Sequence, residues 1–189
     1  VEFANKFDVP VRVLSSFNDG NGTLISLGEE NMENALVSGI AFQKDQVKFT
    51  LHGVGDIPGT AFKILGPISE ADIEVDVIVQ NVSVDGKTDF TFTVSSDEQA
   101  TVQNIIENIK KDVNFRELII DSSIAKVSIV GAGMRSQAGV ASAAFRALSE
   151  NDVNIQIICT SEIKITMVID ESLVEKAVQV LHDEFNLDE

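Results

Sequence analysis

Two glycine-bearing turns, each opening a helix, carry the residues best suited to chemistry in this chain. The first reads VGDIPGTA over residues 54–61 and the second GAGMRSQAGVA over 131–141. A helix start leaves its first N–H groups without intrahelical acceptors, so each turn can hold a carboxylate. Each helix is followed by an apolar strand with polar groups at its ends. These are Glu74, Asp76 and Gln80 in the first copy, and Asn154 and Ser161 in the second. Helix N–H groups for one charge and an acid or amide oxygen for the other suit a free amino acid. The same groups serve equally well as caps and solvated strand ends, and the residues alone leave both readings open.

Other chemistries find less support. The run IVGAGMRSQAG has the strand–glycine–helix order of a dinucleotide-binding turn, but Ser136 stands where a third glycine belongs. The following strand ends in Cys-Thr-Ser with no ribose-binding acid. A tight turn that lets helix and strand pack is the stronger reading, and a nucleotide-binding domain the weaker alternative. His52 and His182 lie in different elements and outside any metal-ligand spacing, with His182 expected at the surface. No nucleophile elbow or Walker loop is present. The expectation is no catalytic residue, no metal and no cofactor. Cys159 is the single cysteine, so no disulfide forms within the chain, and its apolar strand predicts buried packing. Lys and Arg number 14 against 30 Asp and Glu, a net charge of −16. Such a chain repels phosphate backbones and anionic lipid, which argues against nucleic acid and membrane partners. No apolar run approaches the ~20 residues of a membrane helix, and a cytoplasmic location is expected. The opening VEFANKFDVP is neither a signal peptide nor a natural beginning, so a fragment or processed chain is expected.

The elements that must position the turns come twice. Gly59 matches Gly139, Ser69-Glu70 matches Ser149-Glu150, Asp72 matches Asp152, and Ile73 matches Val153. Residues 47–53 alternate as a strand, with Val47, Phe49 and Leu51 on one face. Pro58 is expected in the first turn of the next helix, and Gly66-Pro67 to kink it or end its regular part. Residues 74–80 form a strand, Asp85-Gly86 turns a hairpin into 88–94, and Ser95 with Glu98 signals a capping box. A helix carrying Val102, Ile105, Ile106 and Ile109, then a strand over 116–120, complete a β-α-β-β-α-β unit of ferredoxin-like order. The second unit repeats it with strands 126–130, 155–159 and 163–169 and helices 138–151 and 171–185. It lacks a last strand, and residues 36–42 are available to fill that edge. The predicted fold is therefore α+β: two ferredoxin-like modules with antiparallel sheets and helices on one face. The first module, residues 46–122, is inserted in the second, residues 36–43 plus 123–189. Residues 1–34 form a separate remnant, with a helix end in VEFANKF, a strand in VRVLSSF, a loop in NDGNGT and an acidic connector in GEENMEN.

The runs DIPG, VDVIVQN, TDFTFTV, GAGMRS and TSEIKI, in this order and spacing, resemble the tandem ACT domains of bacterial aspartate kinase. The likeness extends from about residue 36 to the end, and residues 1–34 are similar to the tail of that enzyme's kinase domain. The resemblance implies a feedback module for the first committed step from aspartate toward lysine, threonine and methionine. L-threonine and L-lysine are the implied effectors, and the kinase domain or a catalytic subunit the implied partner. ATP and Mg belong to that kinase domain, not to these residues. Carried over by position, one effector pocket uses Asp56, Ile57, Pro58, Gly59, Thr60, Ala61 and Gln80, closed by Asn154 and Ile155 of a second ACT domain. The other uses Glu74, Val75 and Asp76 against Val140, Ala141 and Ser161. Ser83 and Thr91 stand behind the pockets, where changes in the family relieve inhibition. The chain departs from the family at Gln137, Cys159 and Ala141, where histidine, serine and, in some relatives, threonine stand.

The mechanism so implied is allosteric. Two copies pair through their ACT sheets as a homodimer, and effectors bridging two domains favour one geometry. The rival expectation is a dimerisation scaffold that senses nothing.

Overall fold

Val47, Phe49 and Leu51 are fully buried, while Lys48 and Thr50 between them lie on the opposite face, as strand alternation requires. The computed structural model describes residues 4, 9–17, 20–25, 37–81, 85–131 and 139–187. Within them, β1 (Val11–Val13) and β2 (Thr23–Ile25) pair as a small antiparallel hairpin. The sequence reading has one strand here and a loop; Thr23–Ile25 supplies the second strand. Then follow β3 (Gly39–Gly55), α1 (Thr60–Glu70), β4 (Ile78–Gln80), β5 (Lys87–Ser95) and α2 (Gln99–Val113). The chain continues through β6 (Glu117–Val130), α3 (Val140–Glu150), β7 (Ile157–Thr160), β8 (Lys164–Asp170) and α4 (Val174–Glu184).

The strand order β4-β5-β3-β6-β8-β7 contains the ferredoxin-like arrangement twice, because β3 and β6 each serve both modules. The upper half of β3 pairs β5 and the first half of β6. Its lower half, residues 39–43, pairs Val130 through Lys126, which themselves pair β8. Residues 39–43 thus supply the edge strand of the second module, and the first module is inserted in it. The expected breaks between strands 36–42 and 47–53, and between 116–120 and 126–130, are absent. A register shift between Gln43 and Gln46 and a left-handed Asp45 (φ 58°) bend the strand without ending it.

Each module has its own core on the helix side. The first joins Val47, Phe49, Leu51, Phe90 and Phe92 to Ile64, Ile68, Val102 and Ile106. The second joins Ala125, Val127, Ile129 and Met167 to Ala144, Leu148, Ala177 and Leu181. Full burial of one such aliphatic or aromatic side chain contributes ~1.5–3 kcal/mol.

Several local expectations are corrected. Pro58 lies in the turn before α1, and Gly59 is the residue at its N-terminal boundary. Pro67 lies inside α1, which runs on to Glu70, because a proline near a helix end loses only one bond. Ser95 makes no side-chain capping bond; a single 3-10 turn, Ser96–Glu98, leads into α2 instead. The strand expected over 74–80 is regular only from Ile78. Cys159 is exposed rather than buried, since β7 is the sheet's edge strand. The VEFANKF helix end except Ala4, the GEENMEN connector, Ser83, and residues 132–138 with Ser136 and Gln137 lie outside the described residues. Among the described residues no helix is long and apolar enough to cross a membrane.

Candidate functional site

The first turn is built from short-range bonds. Ile57 N–H donates to Gly55 O at 3.0 Å, Asp56 N–H to Gly86 O at 3.0 Å, and Thr60 N–H to Ile57 O at 3.2 Å. Thr60 is buried, and its hydroxyl donates to Gly55 O at 3.0 Å. Thr60 therefore closes the turn; its side chain does not face solvent. Asp56, Ile57, Pro58, Gly59 and Ala61 are exposed around it. Gly59 has φ 93°, a left-handed conformation that a side chain resists, with open space where a Cβ would stand. The turn thus presents the start of α1 to solvent, with Phe62, 78% exposed, on its outer side.

The strand-end groups sit on the sheet edges. Gln80 is exposed at the end of β4, opposite Phe90. Thr91, half-buried, lies opposite Val79 on one side and Thr50 on the other, with 3.1 Å between the Thr50 and Thr91 hydroxyls. Before β4, Glu74 is exposed and Val75 half-buried. Asp76 N–H donates to Thr93 O at 3.1 Å, and Val77 N–H to Thr93 Oγ1 at 3.1 Å. The Asp76 carboxylate accepts from Lys126 Nζ, whose side chain is 5% exposed.

The second module repeats the plan. Gly139 precedes α3 with φ 128°. Val140 is buried in the core, so only its backbone is available to a ligand, and Ala141 is half-buried. Ser161 is exposed, and its Oγ accepts from Lys164 N–H at 3.1 Å. Asn154 and Ile155 line an open groove of about 490 Å³ with Phe145, Ser149, Asp152 and Val153. The repeated aspartates Asp72 and Asp152 have φ 59° and 57°, and each N–H donates back to a serine carbonyl, Ser69 or Ser149. Their repetition records a turn that favours a short polar side chain.

The structure brings Asp56 through Ala61 into one turn, and Asn154 and Ile155 into one groove. That groove is lined by second-module residues alone. Four further residues escape the sequence reading: Lys48, Lys126, Thr93 and Gln156. Lys48 Nζ donates to Gln156 Oε1 and, at 3.1 Å, to Asp121 Oδ2. The signal for the lysines is present in sequence. The loop before the second helix is two residues longer than the first, so matching the helices displaces the strands. Matching the strands alone sets Lys48 on Lys126.

A further polar cluster lies at the end of β3 that leads into the first turn. His52 Nδ1 meets Asp89 Oδ2 at 2.9 Å, and Asp89 Oδ1 accepts from Gly53 N–H at 3.0 Å. The Gly53 bond, then His52, hold the Asp89 carboxyl below the usual carboxylate range. In the second module, Ser172 lowers Asp170 likewise, through its hydroxyl and its N–H.

The ACT domain family matches residues 127–185. An aspartate kinase of Pseudomonas fluorescens is 58% identical over 189 residues, all of this chain and 46% of that protein. The regulatory subunit of aspartate kinase from Thermus thermophilus, in its ligand-free form, is 33% identical with a TM-score of 0.76. It covers 79% of this chain and 99% of its own. The chain belongs to the family of aspartate kinase regulatory regions. Its two modules are the ACT domains of that family. Escherichia coli aspartokinase III, solved with lysine and aspartate in its T-state, is 25% identical with a TM-score of 0.72, over 98% of this chain and 40% of its own. The chain spans about half the length of the aspartate kinase relative it matches.

Proposed function

We propose that this region senses free L-threonine, L-lysine or both, and sets the activity of an attached or associated aspartate kinase. That kinase would transfer a phosphoryl group from ATP to L-aspartate, giving 4-phospho-L-aspartate. These 189 residues would contribute no catalytic group, and ATP and Mg would be bound elsewhere. The observation that carries the reading is the repeated helix start behind a glycine of positive φ, Gly59 and Gly139, each helix followed by a polar segment leading into a strand. The lysine-bound T-state of the Escherichia coli relative supports the ligand class.

In the first pocket the N–H groups beside Gly59 and Ala61 hold the carboxylate, Asp56 the ammonium, and Gln80 a polar side chain. Asn154 and Ile155, lying in their own open groove, close that pocket from a second copy of the chain. In the other pocket, residues 74–76 face Val140, Ala141 and Ser161. Binding shifts the kinase only through differential affinity for two dimer geometries.

Calorimetry with each amino acid at millimolar concentration tests this. Heat and a raised melting temperature are expected with at least one, and Gln80→Ala should abolish the response at the first pocket. No heat and no melting shift with either would leave the non-sensing scaffold as the better account.

A further inference from the structure

The open faces of the two ACT domains share one pattern. Thr50 stands opposite Thr91, and Ser128 opposite Thr166, and each hydroxyl pair is in hydrogen-bond reach, at 3.1 and 2.8 Å. Superposing those pairs places Lys48 on Lys126, each two residues before its hydroxyl. Asp76 falls on Gln156, each four residues after a left-handed aspartate, Asp72 or Asp152. Each lysine then reaches into the other domain. Lys48 donates to Gln156, and Lys126 to Asp76. Neither lysine is a solvated surface residue, since their side chains are 16% and 5% exposed. An apolar cluster shared by both domains adjoins the crossing: Val77 beside Asp76, Val168 opposite Lys126, Ile157 beside Gln156, and Ile124.

We propose that Lys48 and Lys126 are positioning residues of the effector pockets. Each is rooted in a first strand of one domain and fixes the segment leading into the edge strand of the other, residues 154–156 or residues 74–76. This rests on the reading that Asn154 and Ile155, and residues 74–76, touch an amino acid, with Gln156 standing behind them. Each segment precedes the regular part of its edge strand, which begins at Ile78 or Ile157. Asp76 N–H to Thr93 O, at 3.1 Å, and Gln156 N–H to Val168 O, at 2.8 Å, tie them to the neighbouring strand. The crossing lysines add a restraint from a second direction, as a pre-organised site needs. The arrangement is also reciprocal within one chain. A ligand that displaces residues 154–156 pulls on Lys48 in β3, and one that displaces residues 74–76 pulls on Lys126 in β6. Each crossing thus ties a proposed pocket segment of one domain to a strand of the other.

The decisive variants are Lys48→Met and Gln156→Ala, because neither residue is proposed to touch the effector. Calorimetry on the intact protein carrying this region, with L-threonine and L-lysine, reads affinity; circular dichroism melting checks folding. Each single variant is expected to weaken binding of an effector by about 5-fold or more, the scale of an ordinary site-to-site coupling. The double variant should be no worse than the worse single one, because the Lys48–Gln156 contact is already lost in either single variant. Lys126→Met should behave alike, and Lys126→Gln, which removes the charge but keeps a polar end, replaces it if the methionine variant does not fold. Affinities within about twofold of wild type in the folded lysine variants, or Lys48 and Gln156 effects that simply add, overturn the proposal. Those results leave effector sensing intact. A wild-type protein that binds neither amino acid removes the sensing reading and this one together.

Discussion

The two ACT domains repeat one backbone with different cores. In the first, Phe49 stacks on Phe92 with ring centroids 5.4 Å apart, Phe90 tilts against Phe92, and Phe115 is buried with them. In the second, Val127 and Met167 face each other, and Ala125, Ala144 and Ala177 complete the layer. Ile64 and Ile68 of α1 become Ala144 and Leu148 of α3. What both retain is polar or conformational: the helix-opening glycine, the left-handed aspartate, the hydroxyl pair and the crossing lysine. Core identity is negotiable as long as volume and pattern hold. The glycine opens the helix and the aspartate follows it, next to where ligands are proposed to sit, while the hydroxyl pair and the lysine lie within the strands.

The largest expected effect tests whether the contrasting cores still act as one. Phe92→Ala should cost ~3–5 kcal/mol and Met167→Ala ~2–3 kcal/mol. Because β3 and β6 run through both domains, urea denaturation should show one transition that either change shifts. Two separate transitions would break the picture of a shared sheet.

The seam comes next. Asp76→Ala strands a buried lysine and should cost about 2 kcal/mol, reduced from a fully buried pair because Asp76 is half exposed. Gln156→Ala removes only an amide from Lys48, which keeps Asp121, and should cost ~0.5–1 kcal/mol. Equal costs would mean that the two crossings are energetically alike despite their different charge. At the helix starts, Gly59→Ala should cost ~1–2 kcal/mol through backbone strain alone, since no atom lies within 4 Å of the added Cβ. Gly139→Ala should cost more, because φ 128° lies outside the left-handed helical basin.

The smallest effect is in pH. Asp89 and Asp170 are both held below the usual carboxylate range, the first by Gly53 and His52, the second by Ser172. A carboxylate lowered on folding adds stability that is full above its unfolded value and lost as pH falls through the folded one. The gap between wild type and Asp89→Asn should therefore hold above pH about 4 and close on further acidification. Its size should stay under ~1 kcal/mol, because Asp89 is half exposed. The position matching Asp89 in the second domain is Lys164, so the equivalent change there should leave acid stability unaltered.

Much of this was legible in the residues. Alternation at Val47, Phe49 and Leu51, the duplicated glycine and aspartate, and the need to fill an open edge lead to two nested ferredoxin-like modules. The joins were not legible. A strand shared by two sheets carries no turn signal at its midpoint, so β3 and β6 each read as two strands. Asp45 bends β3 in a conformation that Asp adopts elsewhere as a turn. Cys159 misled because an apolar run does not reveal that its strand lies at an edge. The crossing lysines were hidden by matching helices across loops of unequal length, which slides one strand past its counterpart by two residues. For the candidate site, the turn at Gly59 was readable from proline and glycine. The burial of Thr60, whose hydroxyl faces inward to Gly55, depends on a loop path that composition does not dictate.

The continuous strands carry a lesson for how such a region can be inherited. Gly39–Gly55 and Glu117–Val130 each contribute one half to either domain. A recombination breakpoint at a boundary between the domains, inside β3 or β6, would therefore leave half a strand in each descendant, with its ladder partners on the other molecule. Residues 37–187 must travel between genes as one cassette, and engineered chimeras should place their crossovers outside it.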